Sequence, residues 1–335
     1  MNSEEHHGTT KVAPGDDAQL LAEVEMPKVF GKHNLTEYFH ITKSQDGWKL
    51  KMRPEVEELD TKILAAVKSL ESFIPDDSEA ENKIIIRDLS YKAKYEAATV
   101  IKATEKLEGL HVLQADFSNQ YSWVEQFFKS VSKLRKLEQL ILTCSFSPLN
   151  QLPESIVNYP LNLPDLKILK IVLSHTSLNN LKYLNKCIES CTGVKHFKLS
   201  LAGNEGITTE EMQDFIAILS TFTSLEFVHL NLNNMICLTP PVLQKLGEFI
   251  ENALSLQTLK LGMAENYIIE HPHTVALIES IKKNSSIKKV VINFKDCPLL
   301  TKAQLTLIHQ EINALGIDSK VKSDLKKKSS LWSCQ

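Results

Sequence analysis

A chain of 335 residues suffices for one elongated domain or about two compact ones, and 43% hydrophobic with 24% charged residues is enough to bury a core. Lys plus Arg number 38 against 41 acids, for a net charge of −3, which excludes a generally basic nucleic-acid binder. With 11 Gly in the whole chain, chemistry built on glycine-rich phosphate loops is disfavoured.

Residues 1–26 are acidic, with Glu4, Glu5, Asp16, Asp17, Glu23 and Glu25 against Lys11, and are expected to be flexible. They match neither a secretory signal nor a mitochondrial presequence. Residues 27–106 are expected to form an N-terminal cap with a degenerate first repeat. Within them, residues 36–52 alternate around Ser44-Gln45-Asp46-Gly47, a hairpin pattern. Pro54 to Phe73 reads as a helix, with Val56, Leu59, Ile63, Val67 and Leu70 on one stripe, and Ile84, Ile86 and Leu89 as an edge strand. Apolar runs stay short, such as Ile84 to Ile86, so membrane insertion is not expected.

Over residues 107–317 one pattern recurs seven times, an anchor followed by apolar residues at +3, +5 and +7. The anchors are Leu110, Leu137, Leu166, Val194, Leu225, Leu256 and Ile287, spaced 27, 29, 28, 31, 31 and 31 residues apart. The alternation is that of a strand with one buried face. Between strands the period becomes helical, as in Val242, Leu246, Phe249, Ile250 and Ala253, or Met212, Phe215, Ile216, Leu219 and Phe222. Thr208 with Glu211 and Thr301 with Gln304 have capping-box spacing, and Pro240 suits a first helical turn. Pro148, Pro153, Pro160 and Pro164 should break one convex connection into short pieces. Residues 318–335 read as a basic polar tail, with Lys320 to Lys328 at its centre. One strand and one helix cannot enclose a core, so the units must stack into a curved α/β solenoid with the parallel sheet inside.

The run Leu199-x-Leu201-x-x-Asn204, and likewise Leu261-x-Met263-x-x-Asn266, resembles the leucine-rich-repeat superfamily. The unit length is similar to the ribonuclease-inhibitor-like class. The apolar +7 residue and the Cys191-x-x-Val194 lead-in resemble repeats abundant in ciliate and other protist proteins. The resemblance covers roughly residues 83–317; it implies a fold and says little of function. The family's turn asparagine is replaced by Gln120, Ser147, Thr176, Met235 and Cys297 in the other units, and Met235 implies an irregular turn.

Catalytic motifs are missing: no HExxH, GxSxG or P-loop occurs. Cys187 and Cys191 stand four apart on a helix, and His271 and His273 flank Pro272, but neither pair has further ligands nearby in sequence, so both read as structural. The six scattered Cys fit reduced thiols in the cytoplasm. Neither catalysis nor a cofactor or metal is expected.

The residues between the buried strand positions face the concave space. At +4 they are Gln114, Ile141, Lys170, Lys198, His229, Lys260 and Val291. At +2 they are Val112, Gln139, Ile168, His196, Phe227, Thr258 and Lys289, and at +6 Asp116, Thr143, Val172, Ser200, Asn231, Gly262 and Asn293. Asp116 is the only acid among them. Cations beside exposed Ile141, Ile168, Val172 and Phe227 suit an acidic peptide or protein surface. Aromatics are not interleaved with the lysines, which argues against nucleic acid. The sequence therefore reads as a non-enzymatic interaction scaffold, with the acidic N-terminus as a candidate clasp and a cytoskeletal or ciliary complex as a plausible setting. The resemblance also brings in two alternatives, a Ran-type GTPase-activating protein and a substrate receptor of a ubiquitin ligase. The Lys-rich C-terminal residues and the lack of an F-box-like helix pair count against them.

Overall fold

The protein is seen in a computed structural model that describes residues 39–44, 47–53, 86–92, 109–119 and 123–322, with residues 101, 104, 105 and 107. The expected acidic segment over 1–26, the helix over 54–73, Gln120, Cys334 and the tail from 323 onward lie outside these residues.

Among the described residues, eleven strands form one sheet in chain order. Strand β1 (Phe39–Ser44) pairs antiparallel with β2 (Gly47–Met52), placing Ser44 opposite Gly47 as the hairpin pattern predicts. Every later pairing is parallel. The remaining strands are β3 (Ile86–Lys92), β4 (Val112–Asp116), β5 (Gln139–Thr143), β6 (Ile168–Val172) and β7 (His196–Ser200), then β8 (Phe227–Asn231), β9 (Thr258–Gly262), β10 (Lys289–Asn293) and β11 (Asp318–Lys322). The connections carry α1 (Val124–Val131), α2 (Lys182–Ile188), α3 (Thr209–Leu219), α4 (Pro240–Asn252), α5 (His271–Lys283) and α6 (Lys302–Asn313). This is the α/β solenoid of stacked strand–helix units around a parallel sheet that the repeat pattern implies.

Two boundaries differ from expectation. β3 is not an edge strand, because the hairpin pairs with it through β2 and leaves β1 at the margin. Residues 318–322, read as the start of the tail, form a further strand paired with β10. Val321 is the single buried residue of β11, so its apolar pattern is too weak to read from sequence.

The core is the repeat pattern itself. All twenty-eight positions formed by the seven anchors with their +3, +5 and +7 residues are at most 4% exposed. They pack against the apolar stripes of the helices, where Met212, Phe215, Ile216 and Leu219 of α3 and Val242, Leu246, Phe249 and Ile250 of α4 are buried. Both expected capping boxes form, and Pro240 opens α4. The proline-rich connection after β5 holds a short 3-10 helix, Glu154–Asn158, instead of an α-helix, since each proline removes a backbone donor.

Each strand leaves the sheet through one shared turn. The residue nine after the anchor has positive φ in all seven units: Asn119, Phe146, His175, Gly203, Asn234, Glu265 and Asp296. A residue with a Cβ pays about 1–2 kcal/mol for that conformation. An offsetting hydrogen bond runs to the next unit, from Phe146 N–H to the Ser174 carbonyl at 3.0 Å, and from His175 N–H to the Ala202 carbonyl at 2.8 Å. The following residue ties adjacent turns together. Asn204 Oδ1 accepts from the N–H groups of Thr176 at 3.1 Å and Leu178 at 2.9 Å, while its Nδ2 donates to the carbonyls of Leu173 and Leu201. Asn266 accepts from Met235 N–H at 2.8 Å. The turn at Met235 keeps the shared backbone, with positive φ at Asn234 and a bond from Asn234 N–H to the Ala264 carbonyl at 2.8 Å, although a methionine side chain cannot make the amide bonds to the preceding unit. Elsewhere Ser147 Oγ and Cys297 Sγ each donate to a carbonyl of the preceding unit.

Replacing Asn204 with Ala leaves buried N–H and carbonyl groups without their side-chain partner, and should cost about 2–4 kcal/mol by chemical denaturation. Cys297→Ala, which loses one weak sulfur bond, should cost markedly less in the same measurement.

Candidate functional site

Strict register turns the concave positions into three rows running across the sheet. The middle row places Gln114, Ile141, Lys170, Lys198, His229, Lys260 and Val291 side by side and continues to Lys320 on β11. Neighbouring strands are about 4.8 Å apart, so Lys198 and Lys260 are separated by roughly 10 Å with His229 between them. The flanking row brings His196 beside Phe227, with ring centroids 5.7 Å apart, and Lys260 Nζ sits 5.1 Å from the centroid of Phe227. Lys170, Lys198, His229, Lys260, His196 and Phe227 thus form one cluster on β6 to β9. His196 is exposed, and the others are half-buried. Ile141 and Ile168 lie at its N-terminal side on β5 and β6.

Lys289 does not join this cluster. Its ammonium forms an ion pair with Asp318, which β11 places opposite it. The acid was missed because the sequence reading ended the solenoid at residue 317. Asp116 is likewise engaged locally, accepting from Ser118 N–H at 2.9 Å and Ser118 Oγ at 2.6 Å.

The two edges of the sheet differ from its floor in how charge is balanced. At the start of the strands, Glu138 Oε1 lies 2.9 Å from His111 Nδ1 and Oε2 accepts from Lys167 Nζ at 3.2 Å; Glu226 accepts from Lys195 at 2.7 Å. These partners hold both carboxyls below the ordinary carboxylate range, through the hydrogen bond from His111 and then that from Lys167 for Glu138, and the bond from Lys195 for Glu226. On the floor, among the described residues, Lys170, Lys198 and Lys260 have no acid partner. Burial, followed by the charges of Lys170 and Lys260, lowers the Lys198 ammonium below the usual lysine range. Burial, then the charges of Lys198, Lys260 and Lys170, pushes the His229 imidazole from 6.5 to about 4. At neutral pH the cluster is three cations around a neutral imidazole, with an aromatic face beside them.

The third row adds polar groups. Asn231 Nδ2 donates to Ser200 Oγ at 2.8 Å, and the hydroxyls of Ser174 and Ser200 lie 2.7 Å apart. Gly262 lets two asparagines close in here, since a Cβ would come within 2.7 Å of Asn231 Oδ1 and 2.9 Å of Asn233 Oδ1 and would push those side chains aside. A glycine inside a strand is the signal that would have marked this close approach.

The other candidates have structural surroundings. Cys187 Sγ donates to the Ile156 carbonyl at 3.2 Å and Cys191 Sγ to the Leu161 carbonyl at 3.4 Å, and burial pushes both thiols up to about 12. His273 Nδ1 accepts from Glu270 N–H at the start of α5. Among the described residues, no group of three or more His, Cys, Asp or Glu is placed to hold a metal, and no helix is long and apolar enough to cross a membrane.

No family model matches the chain, and no curated protein matches it. Among solved structures it is similar to the leucine-rich repeat-containing protein LegL7 from Legionella pneumophila, at 12% identity and a TM-score of 0.40, over 84% of this chain and 91% of that one. Identity that low carries no information on partners.

Because the folded state resists protonation of His229, stability should fall as pH drops from 6.5 towards 4, where the unfolded chain takes up a proton that the native one does not. The ring resonances of His229 should titrate near 4 by NMR, and Lys198→Met with Lys260→Met should raise that midpoint while burial keeps it below 6.5. A midpoint at the ordinary histidine value in the parent protein would contradict the packed cationic cluster.

Proposed function

We propose that the chain is a non-enzymatic interaction module that holds an acidic peptide or protein surface on the concave face of β6 to β9. The observation that carries this reading is the register of Lys170, Lys198 and Lys260 on one row with no acid partner among the described residues. A like-charged array, in which burial already disfavours the Lys198 ammonium, gains from an incoming anion and loses little entropy, because the sheet fixes its geometry beforehand. Phe227, with Lys260 above its ring and His196 beside it, is the aromatic anchor, and Ile141 and Ile168 extend the apolar contact. A protein surface is favoured over nucleic acid because a single aromatic ring accompanies the cations, where stacking on successive bases needs several.

The units belong, on this reading, to the ribonuclease-inhibitor-like class of leucine-rich repeats and resemble ciliate and other protist repeats. The setting we favour is a cytoplasmic assembly, cytoskeletal or ciliary, in which the module is one subunit. The five free, buried cysteines among the described residues are in keeping with a reducing compartment.

Charge reversal tests the site directly. Lys198→Glu combined with Lys260→Glu should weaken binding of a pool of Glu- and Asp-rich peptides by about tenfold or more, with the parent's affinity falling as salt rises. The same double variant should lose partners captured by the parent from the native organism and identified by mass spectrometry. Undiminished binding in both measurements would remove the concave floor as the site.

A further inference from the structure

Six large apolar side chains stand exposed among the described residues, and four of them lie in the turns that follow the strands. Phe146 follows β5 and is 63% exposed; Ile236, Tyr267 and Leu299 follow β8, β9 and β10 at 60%, 64% and 47%. Ile236 and Tyr267 are equivalent, each eleven residues after its anchor, so they stack in consecutive turns, and Leu299 lies in the next turn. Contiguous exposed apolar surface of this kind marks an interaction site.

The charge of this rim is opposite to that of the floor. From β5 onward, the turn residues up to the cap of the following helix include Glu205, Glu265, Glu270 and Asp296 against Lys295, while Lys182 and Lys302 open α2 and α6. The acids alternate with the apolar residues: Glu205 contacts Asn234 one residue before Met235 and Ile236, and Glu265 precedes Tyr267 by two residues. A ligand for this rim must therefore carry cations and apolar side chains together. Anionic lipid is disfavoured by the same acids.

We infer that the rim is a docking surface for the chain's own C-terminal segment, residues 323–335. Three observations converge on that occupant. Its sequence has the required chemistry, Lys326, Lys327 and Lys328 followed by Leu331 and Trp332, with Asp324 as its only acid. It departs from the correct edge, because β11 is parallel to its neighbours and Lys322 ends it level with Asn293, at the rim where Leu299 follows. It is long enough: nine residues beyond Lys322 span about 30 Å when extended, against roughly 15 Å for the three strand spacings from β11 to β8. In that arrangement the lysines meet Asp296 and Glu265, and Leu331 with Trp332 covers Tyr267 and Ile236. The inference does not depend on the concave floor, whose charge would repel this segment.

Tryptophan fluorescence of the full chain provides the test, since Trp123 is 1% exposed and Trp48 8%, which leaves Trp332 as the third tryptophan and the reporter. Acrylamide should quench the parent weakly and to the same extent at all protein concentrations. Quenching should rise several-fold in Ile236→Asp with Tyr267→Asp, in Lys326→Glu with Lys327→Glu and Lys328→Glu, and at high salt, and should be unchanged in Lys198→Glu with Lys260→Glu. Because the rim substitutions lie at exposed turn positions, far-UV circular dichroism of these variants should match the parent. Full quenching of Trp332 in the parent, or indifference to the rim and lysine variants, overturns the inference. Protection that grows with protein concentration assigns the rim to a second copy and overturns docking within one chain.

Discussion

No unit of 27 to 31 residues here can enclose an apolar core alone, and the architecture follows from that constraint. A strand with one greasy face and a helix with one greasy stripe leave both flanks open, so each unit is completed only by the next. Backbone pairing, the shared left-handed turn and the Asn204 and Asn266 side chains all enforce the same translation from unit to unit. Function inherits this regularity. Because stacking fixes the register, side chains at equivalent positions become rows, and Lys170, Lys198 and Lys260 fall in line although 28 and 62 residues separate them along the chain.

What was legible in the sequence was whatever repeated. The buried rows and the concave rows both follow from alternation, so the fold and the main cluster could be read residue by residue. The failures share one physical cause, the absence of period. Gly316 and Ser319 stand where β11 should have an anchor and its +3 partner, so the strand and its Asp318 escaped notice, and Lys289 was grouped with the concave-facing cations. The left-handed turn is suggested by Asn119, His175, Gly203, Asn234 and Asp296, which tolerate positive φ, but hidden at Phe146 and Glu265, which ordinarily avoid it. There the neighbouring unit, not local preference, dictates the backbone. Gly262 was visible as a residue, but its reason, the approach of Asn231 and Asn233, exists only across two strands.

The distribution of charge separates structural from available groups. Acids and bases at the start of the strands satisfy one another across consecutive units, as Glu138 does with His111 and Lys167. The floor holds cations and the far rim holds acids with exposed apolar side chains. Such segregation adds nothing to folding, since like charges gathered on one surface repel. The near-neutral whole chain conceals it, because opposite signs on different surfaces cancel in the total.

The serial pairing of β1 through β11 has a mechanical consequence. A pull applied along the solenoid is borne by each interstrand seam in turn, since among the described residues each strand pairs only with its neighbours in the chain. A folded unit contributes about 5 Å of length, whereas its residues released as an extended chain reach on the order of 100 Å. Release of one unit would therefore lengthen the chain roughly twentyfold over the piece it replaces, so that extension of such a stack is set by seams giving way one by one.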